Sequence, residues 1–272
     1  MPGALHIVST PIGHLGDISL RAVAVLREAS VICCEDTRQS RVLMQRYGIH
    51  TPLLALHEHN EASATPRLIT RLQSGEAVAL ISDAGTPLVS DPGARLVPAV
   101  IAAGLRVVPI PGASATLAAL VASGLPPHPC TILGFLPRKG GERTVQLALA
   151  TSLPHTVVLF ESPNRLVDTL RDLAAIAGPR EVAVARELTK HYEEVRRGTL
   201  DEVAAYYDQT PPRGEIVIVL GGAPLVVPTE VDLQAAASAL RSEGFRPREI
   251  VQRLIDEHGA SRNLAYRLAH DT

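Results

Sequence analysis

The chain has 272 residues, 46% of them hydrophobic and 20% charged, which excludes a disordered chain and is long enough for two domains of ordinary size. A net charge of −2 excludes a globally basic nucleic-acid binder, and 3% aromatic residues without any Trp leave few rings for a base-stacking platform. All basic residues except Lys139 and Lys190 are arginines, whose planar guanidinium suits phosphate recognition. Cys33, Cys34 and Cys130 are odd in number and lack C-x-x-C spacing, so a reducing compartment and no cysteine metal site are expected. With no basic leader before the first apolar run and no run of about 20 apolar residues, the expectation is a cytoplasmic protein that neither spans nor enters a membrane.

Residues 5–9 read as a first strand, followed by Thr10-Pro11-Ile12-Gly13-His14-Leu15-Gly16-Asp17, whose glycines suggest a backbone nest for a ligand. This turn spells neither G-x-G-x-x-G nor a Walker P-loop, so dinucleotide and NTP readings lose ground. Ser19 caps a helix running to about Glu28. Residues 31–34 form a short buried strand that delivers Glu35-Asp36-Thr37-Arg38 to its carboxyl end, either for ligand chemistry or with Asp36 as the cap of the next helix. After residues 52–56 comes His57-Glu58-His59-Asn60-Glu61, where the two histidines lack the i, i+4 spacing of a zincin, so no metal is expected. Residues 62–73 fit a helix.

The apolar run at residues 78–81 then breaks into Ser82-Asp83-Ala84-Gly85-Thr86-Pro87, the profile of a ligand loop at the carboxyl end of a buried strand. Gly85 leaves room for a ligand at the backbone, and Asp83 accepts hydrogen bonds from hydroxyls or an ammonium. The competing reading is an ordinary strand-to-helix loop with Asp91 capping a helix over residues 92–103. Residues 106–110 form another strand, ending in Pro111-Gly112-Ala113-Ser114-Ala115, which opens a helix. This alternation predicts a mostly parallel sheet with a ligand at its carboxyl edge.

Gly124-Leu125-Pro126-Pro127-His128-Pro129 is the best boundary between a first α/β domain, 1–122, and a second, 128–224, because such prolines continue neither a helix nor a central strand. Strands are expected at 131–134, 156–160, 181–185 and 215–220. Their ends carry Phe135-Leu136-Pro137-Arg138-Lys139-Gly140-Gly141, Glu161-Ser162-Pro163-Asn164-Arg165 and Arg186-Glu187-Leu188-Thr189-Lys190, and three such cation-bearing loops favour an anionic substrate. A linker at 223–228 leads to a helical segment, 230–272, with helices at 233–242, 247–258 and 261–270. Their spacing resembles a helix-turn-helix, although from Asp232 onward six arginines are matched by six acids.

Taken together and in this order, the motifs beginning Thr10-Pro11, Glu35-Asp36-Thr37-Arg38, His57-Glu58-His59, Ser82-Asp83-Ala84-Gly85-Thr86-Pro87, Pro111-Gly112 and Phe160-Glu161-Ser162-Pro163-Asn164-Arg165 resemble one family. It is the bacterial ribosomal RNA small subunit methyltransferases I, an RNA-modifying branch of the tetrapyrrole methylase superfamily, and the resemblance spans almost the whole chain. It implies a two-domain α/β tetrapyrrole-methylase-like fold (a class III methyltransferase) with a C-terminal three-helix segment. It implies a homodimer with S-adenosyl-L-methionine in the cleft between domains, and 2′-O-methylation of cytidine 1402 in 16S rRNA within the assembled 30S subunit. Asp83, Ala84, Gly85, Thr86, Ser114 and Ala115 match cofactor-binding positions of the superfamily, and Pro11, Phe160, Ala185 and Gly214 are further candidate contacts.

Methyl transfer from a sulfonium is an in-line displacement that needs alignment and removal of the hydroxyl proton. The acceptor face is expected to be lined by Glu35, Asp36, Arg38, Glu161, Asn164, Arg186 and Lys190, with Asp36 or Glu161 as base and Arg38, Lys139, Arg165 and Arg186 on phosphates. Two departures from the family pattern are His14, where Asn is common, and a short basic loop after Pro137. The low net charge predicts modest affinity for free RNA and a folded particle as substrate. The alternatives are a small-molecule, tetrapyrrole-type methylase and a non-catalytic RNA-binding assembly factor.

Overall fold

Along residues 4–110 short apolar runs alternate with amphipathic helices, and side chains on successive strand residues point to opposite faces, so each strand must be covered on both sides. The computed structural model, which describes residues 3–89, 91, 93–224 and 229–270, satisfies this with a five-stranded parallel sheet. Its strands are Ala4–Val8 (β1), Val31–Cys34 (β2), Leu53–Ala55 (β3), Val78–Leu80 (β4) and Arg106–Ile110 (β5), in the order β3-β2-β4-β1-β5. Pro92, expected to begin a helix, most of the linker (225–228) and the last two residues lie outside the described residues.

The helices of this half are Leu20–Glu28 (α1), Thr37–Arg46 (α2), Glu58–Gln73 (α3), Leu96–Ala102 (α4) and Ala115–Ser123 (α5). The period of two divides the sheet's residues between two cores. Ile32, Cys34, Ala79 and Ile81 join Leu26 and Leu43 on one face; Val31, Cys33, Val78 and Leu80 join Leu68, Leu72 and Leu96 on the other. Ser19 Oγ accepts from Ala22 N at 3.1 Å and Asp36 Oδ1 from Arg38 N at 2.8 Å, so both expected caps are made. Helix α3 begins four residues earlier than the periodicity suggested, because Asn60 Oδ1 accepts from His57 N at 2.9 Å and closes the first turn over the His-Glu-His motif.

The second sheet, built from Cys130–Phe135 (β6), Thr156–Glu161 (β7), Glu181–Arg186 (β8), Glu194–Thr199 (β9) and Ile216–Leu220 (β10), has the order β6-β7-β10-β8-β9. Only β6 and β7 run parallel; the other pairings are antiparallel. Val157, Leu159, Val182, Val184, Ile216 and Ile218 pack under helices Gly141–Ser152 (α6), Leu166–Ala177 (α7) and Leu200–Gln209 (α8). The opposite face, Val158, Ala183, Ala185, Val217 and Val219, packs on Ala119 and Leu120 of α5 and on Ile12. Helix α5 therefore follows the last strand of the first sheet and covers the second, tying the halves together.

Residues 224–272 form a separate compact unit. Its described helices, Glu230–Ser242 (α9), Pro247–Asp256 (α10) and Arg262–His270 (α11), surround Leu233, Ala237, Leu240, Ile250, Leu254, Ala265 and Leu268. A Thr229–Asp232 capping box starts α9, and Gly244 and Gly259 take positive φ after α9 and α10, as the helix-stop reading required. Among the described residues no helix is long and apolar enough to cross a membrane.

Candidate functional site

The loops leaving β1 and β4 meet at the carboxyl edge of the first sheet. Thr10 N donates to Gly85 O at 2.8 Å and Gly85 N to Thr10 O at 3.1 Å, an isolated antiparallel bridge that holds the two loops side by side. Gly85 sits at φ 78°, in the left-handed region that favours glycine. Thr86 Oγ1 donates to Ala113 O at 3.1 Å and shares a 3.0 Å hydrogen bond with Ser9 Oγ, which joins the third loop to the first two. Ser114 caps α5 by accepting from Leu117 N. Of the expected cofactor residues, Gly85 and Thr86 thus knit the loops together, and Ser114 starts the helix that follows the third.

The others line two adjoining hollows. A cleft of about 340 Å³ is walled by Ala84, Ala115, Phe160, Ala185 and Gly214, with Ile12, Phe135, Leu188 and Val217 completing its apolar surface and Asp91 and Glu161 at its polar side. Seven segments from both halves of the fold deliver these residues, and the size and apolar character suit a small organic ligand. Pro11 and Asp83 line a neighbouring hollow of about 300 Å³ together with Gly13, Gln39, Ser40 and Lys190; Ile12, Ala84 and Glu215 belong to both.

The turn read as a ligand nest lines the second hollow with Thr10, Pro11, Ile12, Gly13 and Leu15, while its other side packs against protein. A Cβ on Gly13 would lie 2.5 Å from Lys190 Cγ and 2.6 Å from Thr189 Oγ1, and His14 N donates to Thr189 Oγ1 at 3.0 Å. The glycine admits the loop after β8, in which Glu187 and Thr189 hold positive φ of 51° and 64°. Similarly, a Cβ on Gly214 would meet Glu187 Oε1 at 2.1 Å, so this cleft wall requires glycine.

Electrostatics separates the carboxylates. Asp36 is paired with Arg38 (2.7 Å), and that guanidinium together with the Arg38 backbone N–H holds its carboxyl down at about 2. Its backbone N–H donates to Asp83 Oδ1 at 3.1 Å. Glu161 is buried and fully engaged: its carboxylate accepts from Ser162 N (2.7 Å), Arg165 Nε (2.7 Å) and Thr169 Oγ1 (2.7 Å). Burial, then the Asp83 charge, pushes Glu35 up, with His57 opposing.

Asp91 shifts in the same direction as Glu35. Burial first, then the charge of Glu35, raises its carboxyl to about 6, with Asp83 adding to the rise and a hydrogen bond with Ser82 opposing it. The expectation that Asp91 caps the following helix is corrected: α4 starts at Leu96, and its first N–H groups, Arg95 N and Leu96 N, donate to Glu61 Oε1 at 2.9 and 2.8 Å. The Ser-Asp-Pro triplet imitates a helix start, while the acid that does the capping lies 35 residues upstream.

Among the expected RNA contacts, Lys139 and Asn164 are exposed, without a side-chain hydrogen bond or ion pair among the described residues. Glu35 is exposed at the end of β2. Arg165 is committed to Glu161 and to Leu136 O (3.1 Å), Arg186 to Glu194 (3.1 Å), and Lys190 to Glu187 (2.9 Å) and Glu215 (3.2 Å). Among the described residues, no group of three or more His, Cys, Asp or Glu side chains is placed to hold a metal ion.

The model of the tetrapyrrole (corrin/porphyrin) methylases matches residues 4–204. The chain is similar to the ribosomal RNA small subunit methyltransferase I of Mesorhizobium japonicum, 48% identical over 269 residues that cover 93% of this chain and 92% of that protein. It is also similar to the protein of the same name from Xylella fastidiosa, 46% identical over 268 residues, 97% of this chain and 98% of the other. Among solved structures, uroporphyrin-III C-methyl transferase from Thermus thermophilus complexed with S-adenyl homocysteine aligns with a TM-score of 0.60 at 20% identity. That alignment covers 80% of this chain and 97% of the other, a likeness of fold. By these matches over nearly its full length, the chain belongs to the ribosomal RNA small subunit methyltransferase I family of the tetrapyrrole methylases.

Proposed function

We propose that the chain is a methyltransferase that uses S-adenosyl-L-methionine to methylate the ribose 2′-hydroxyl of one decoding-centre cytidine of 16S rRNA in the assembled 30S subunit. It would do so as a cytoplasmic homodimer, with residues 1–122, 128–224 and 230–272 as its three domains. The observation that carries this reading is the cleft in which Ala84, Ala115, Phe160, Ala185 and Gly214 converge beside Asp91, a carboxyl with no ion pair among the described residues. That setting fits the cofactor: small side chains leave backbone amides and carbonyls open to an adenine and a methionine moiety, and Asp83 and Asp91 offer negative charge to an ammonium and a sulfonium. When bound, the cofactor supplies an electrophilic methyl group for in-line displacement.

The chain's own residues hold the acceptor in line and take its proton. Asp36 is a weak base because Arg38 stabilises its anion, and Glu161 has its acceptor capacity taken by Ser162, Arg165 and Thr169. Asp91 lines the cleft, and burial with the Glu35 charge raises its carboxyl to about 6, which makes it the better proton acceptor. Loops bearing Arg38, Lys139, Arg165, Arg186 and Lys190 would position the RNA, with Asn164 and Glu35 at their margins.

The test is transfer of a radiolabelled methyl group from S-adenosyl-L-methionine to 30S subunits from a strain lacking the endogenous enzyme, with mapping of the labelled nucleotide. Label on a decoding-centre cytidine 2′-oxygen is expected. Cofactor binding without label on 30S would refute the RNA reading and point to a small-molecule acceptor, whereas no cofactor binding at all would point to an assembly factor.

A further inference from the structure

The second half of the fold gathers guanidinium groups where the chain as a whole has none to spare. A hollow of about 440 Å³ is lined by Arg138, Arg143, Arg165, Arg171, Asp168 and Asp172, a local excess of cations in a chain whose net charge is −2. Two of the four arginines are fixed by one buried carboxylate. Glu161 holds Arg165 directly (2.6 Å), and through its hydrogen bond from Thr169 it sets the acceptor for Arg143, whose Nη2 donates to Thr169 Oγ1 at 3.0 Å. Arg143 also pairs with Asp172 at 2.7 Å and donates to Pro137 O at 3.2 Å.

A guanidinium carries five N–H donors in a rigid fork, so these anchors leave donors over while removing most of the side-chain freedom. Among the described residues Arg138 is exposed, with no hydrogen bond or ion pair, and Arg171 pairs with Asp208, at 3.2 Å. Glu161, Ser162 and Pro163 line the cleft as well, so the segment that anchors the arginines on one side forms the cleft wall on the other. A rigid, multivalent donor set of this kind matches the oxygens of a phosphodiester.

We propose that this hollow is a phosphate-binding subsite that grips the RNA backbone beside the nucleotide in the cleft. The proposal rests on the reading of the chain as an RNA methyltransferase. It also gives the Glu-Ser-Pro-Asn-Arg motif a role: the glutamate positions arginines and does not take a proton.

The experiment is equilibrium binding to 30S subunits over a KCl series, with KM and kcat for methyl transfer, for the wild type, Arg138→Ala, Arg171→Ala, their double variant and Asp168→Asn. Each lost phosphate contact is expected to lower the slope of log affinity against log salt by about 0.7 to 0.9. Arg138→Ala and the double variant should raise KM several-fold with kcat and cofactor affinity unchanged. Asp168→Asn, which removes an exposed acid from the rim, should tighten binding and lower KM. An unchanged slope and KM in the double variant, or weaker binding by Asp168→Asn, would overturn the proposal. If the wild type transfers no methyl to 30S, the functional reading fails by itself. The subsite is then judged with a single-stranded oligoribonucleotide, whose binding must lose salt dependence in the double variant and exceed that of a poly-glutamate of equal charge.

Discussion

Replacing Asp91 by Asn tests the electrostatics of the cleft and its chemistry at once. In the folded protein burial and the charges of Glu35 and Asp83 raise this carboxyl from 3.8 to about 6. A group whose folded value is raised in this way favours the protonated form, so the folded state loses stability as pH climbs from about 4 through about 6. The full displacement corresponds to about 3 kcal/mol at neutral pH. Asp91 is only half-buried, and screening reduces that to roughly 1 kcal/mol. The amide cannot ionise. At pH 8 Asp91→Asn should therefore be more stable than the wild type by about 1 kcal/mol, a rise in Tm of about 2 to 4 °C. The gap should close below about pH 4, where both side chains are neutral, and narrow in high salt. Methyl transfer should fall about a hundredfold or more, the usual cost of removing a general base. Thermal melts across pH 4 to 8 and turnover assays read both effects. A variant less stable than the wild type at pH 8, a gap independent of pH, or unchanged turnover would refute the reasoning.

Glu161→Gln leaves Arg165 without its buried partner and weakens the acceptor for Thr169, and should cost about 3 kcal/mol of stability. A melting temperature within a degree of the wild type would show that the pair carries no such weight. Gly214→Ala puts a methyl group against Glu187 Oε1 at a φ of 85°. Displacing Glu187 from Lys190 and narrowing the cleft should weaken cofactor binding at least about tenfold, or about 1.4 kcal/mol, in an equilibrium titration; unchanged affinity would remove Gly214 from the binding wall.

Much of the architecture is written locally. Continuous apolar runs along Thr156–Glu161, Glu181–Arg186 and Ile216–Leu220 specify strands buried on two faces, because successive side chains of a strand point to opposite sides. Ser19, Asp36, Gly244 and Gly259 mark helix ends because a cap is made within a few residues of the chain. The loops with ligand chemistry were legible for a related reason: small and polar residues after an apolar strand stand out in sequence.

What the tertiary structure alone decided depends on neighbours far along the chain. The strand Glu194–Thr199, reading Glu-Val-Arg-Arg-Gly-Thr, shows no apolar alternation; it pairs at a sheet edge, with Arg197 donating to the carbonyls of Ala122 and Ser123 at the end of α5. Gly13 reads as a ligand residue in sequence, and only the fold shows that Thr189 and Lys190 fill the space a side chain there would need. Arg138, Arg143, Arg165 and Arg171 belong to three elements and a loop that only packing brings to one hollow. Asp91 resembles a helix cap in sequence because what raises its carboxyl, burial first and then the charge of Glu35 from the end of β2, comes from packing, with only Asp83 in its own loop. Protonation and pairing are set by distance in space through Coulomb interaction and desolvation, and local sequence patterns carry no measure of either.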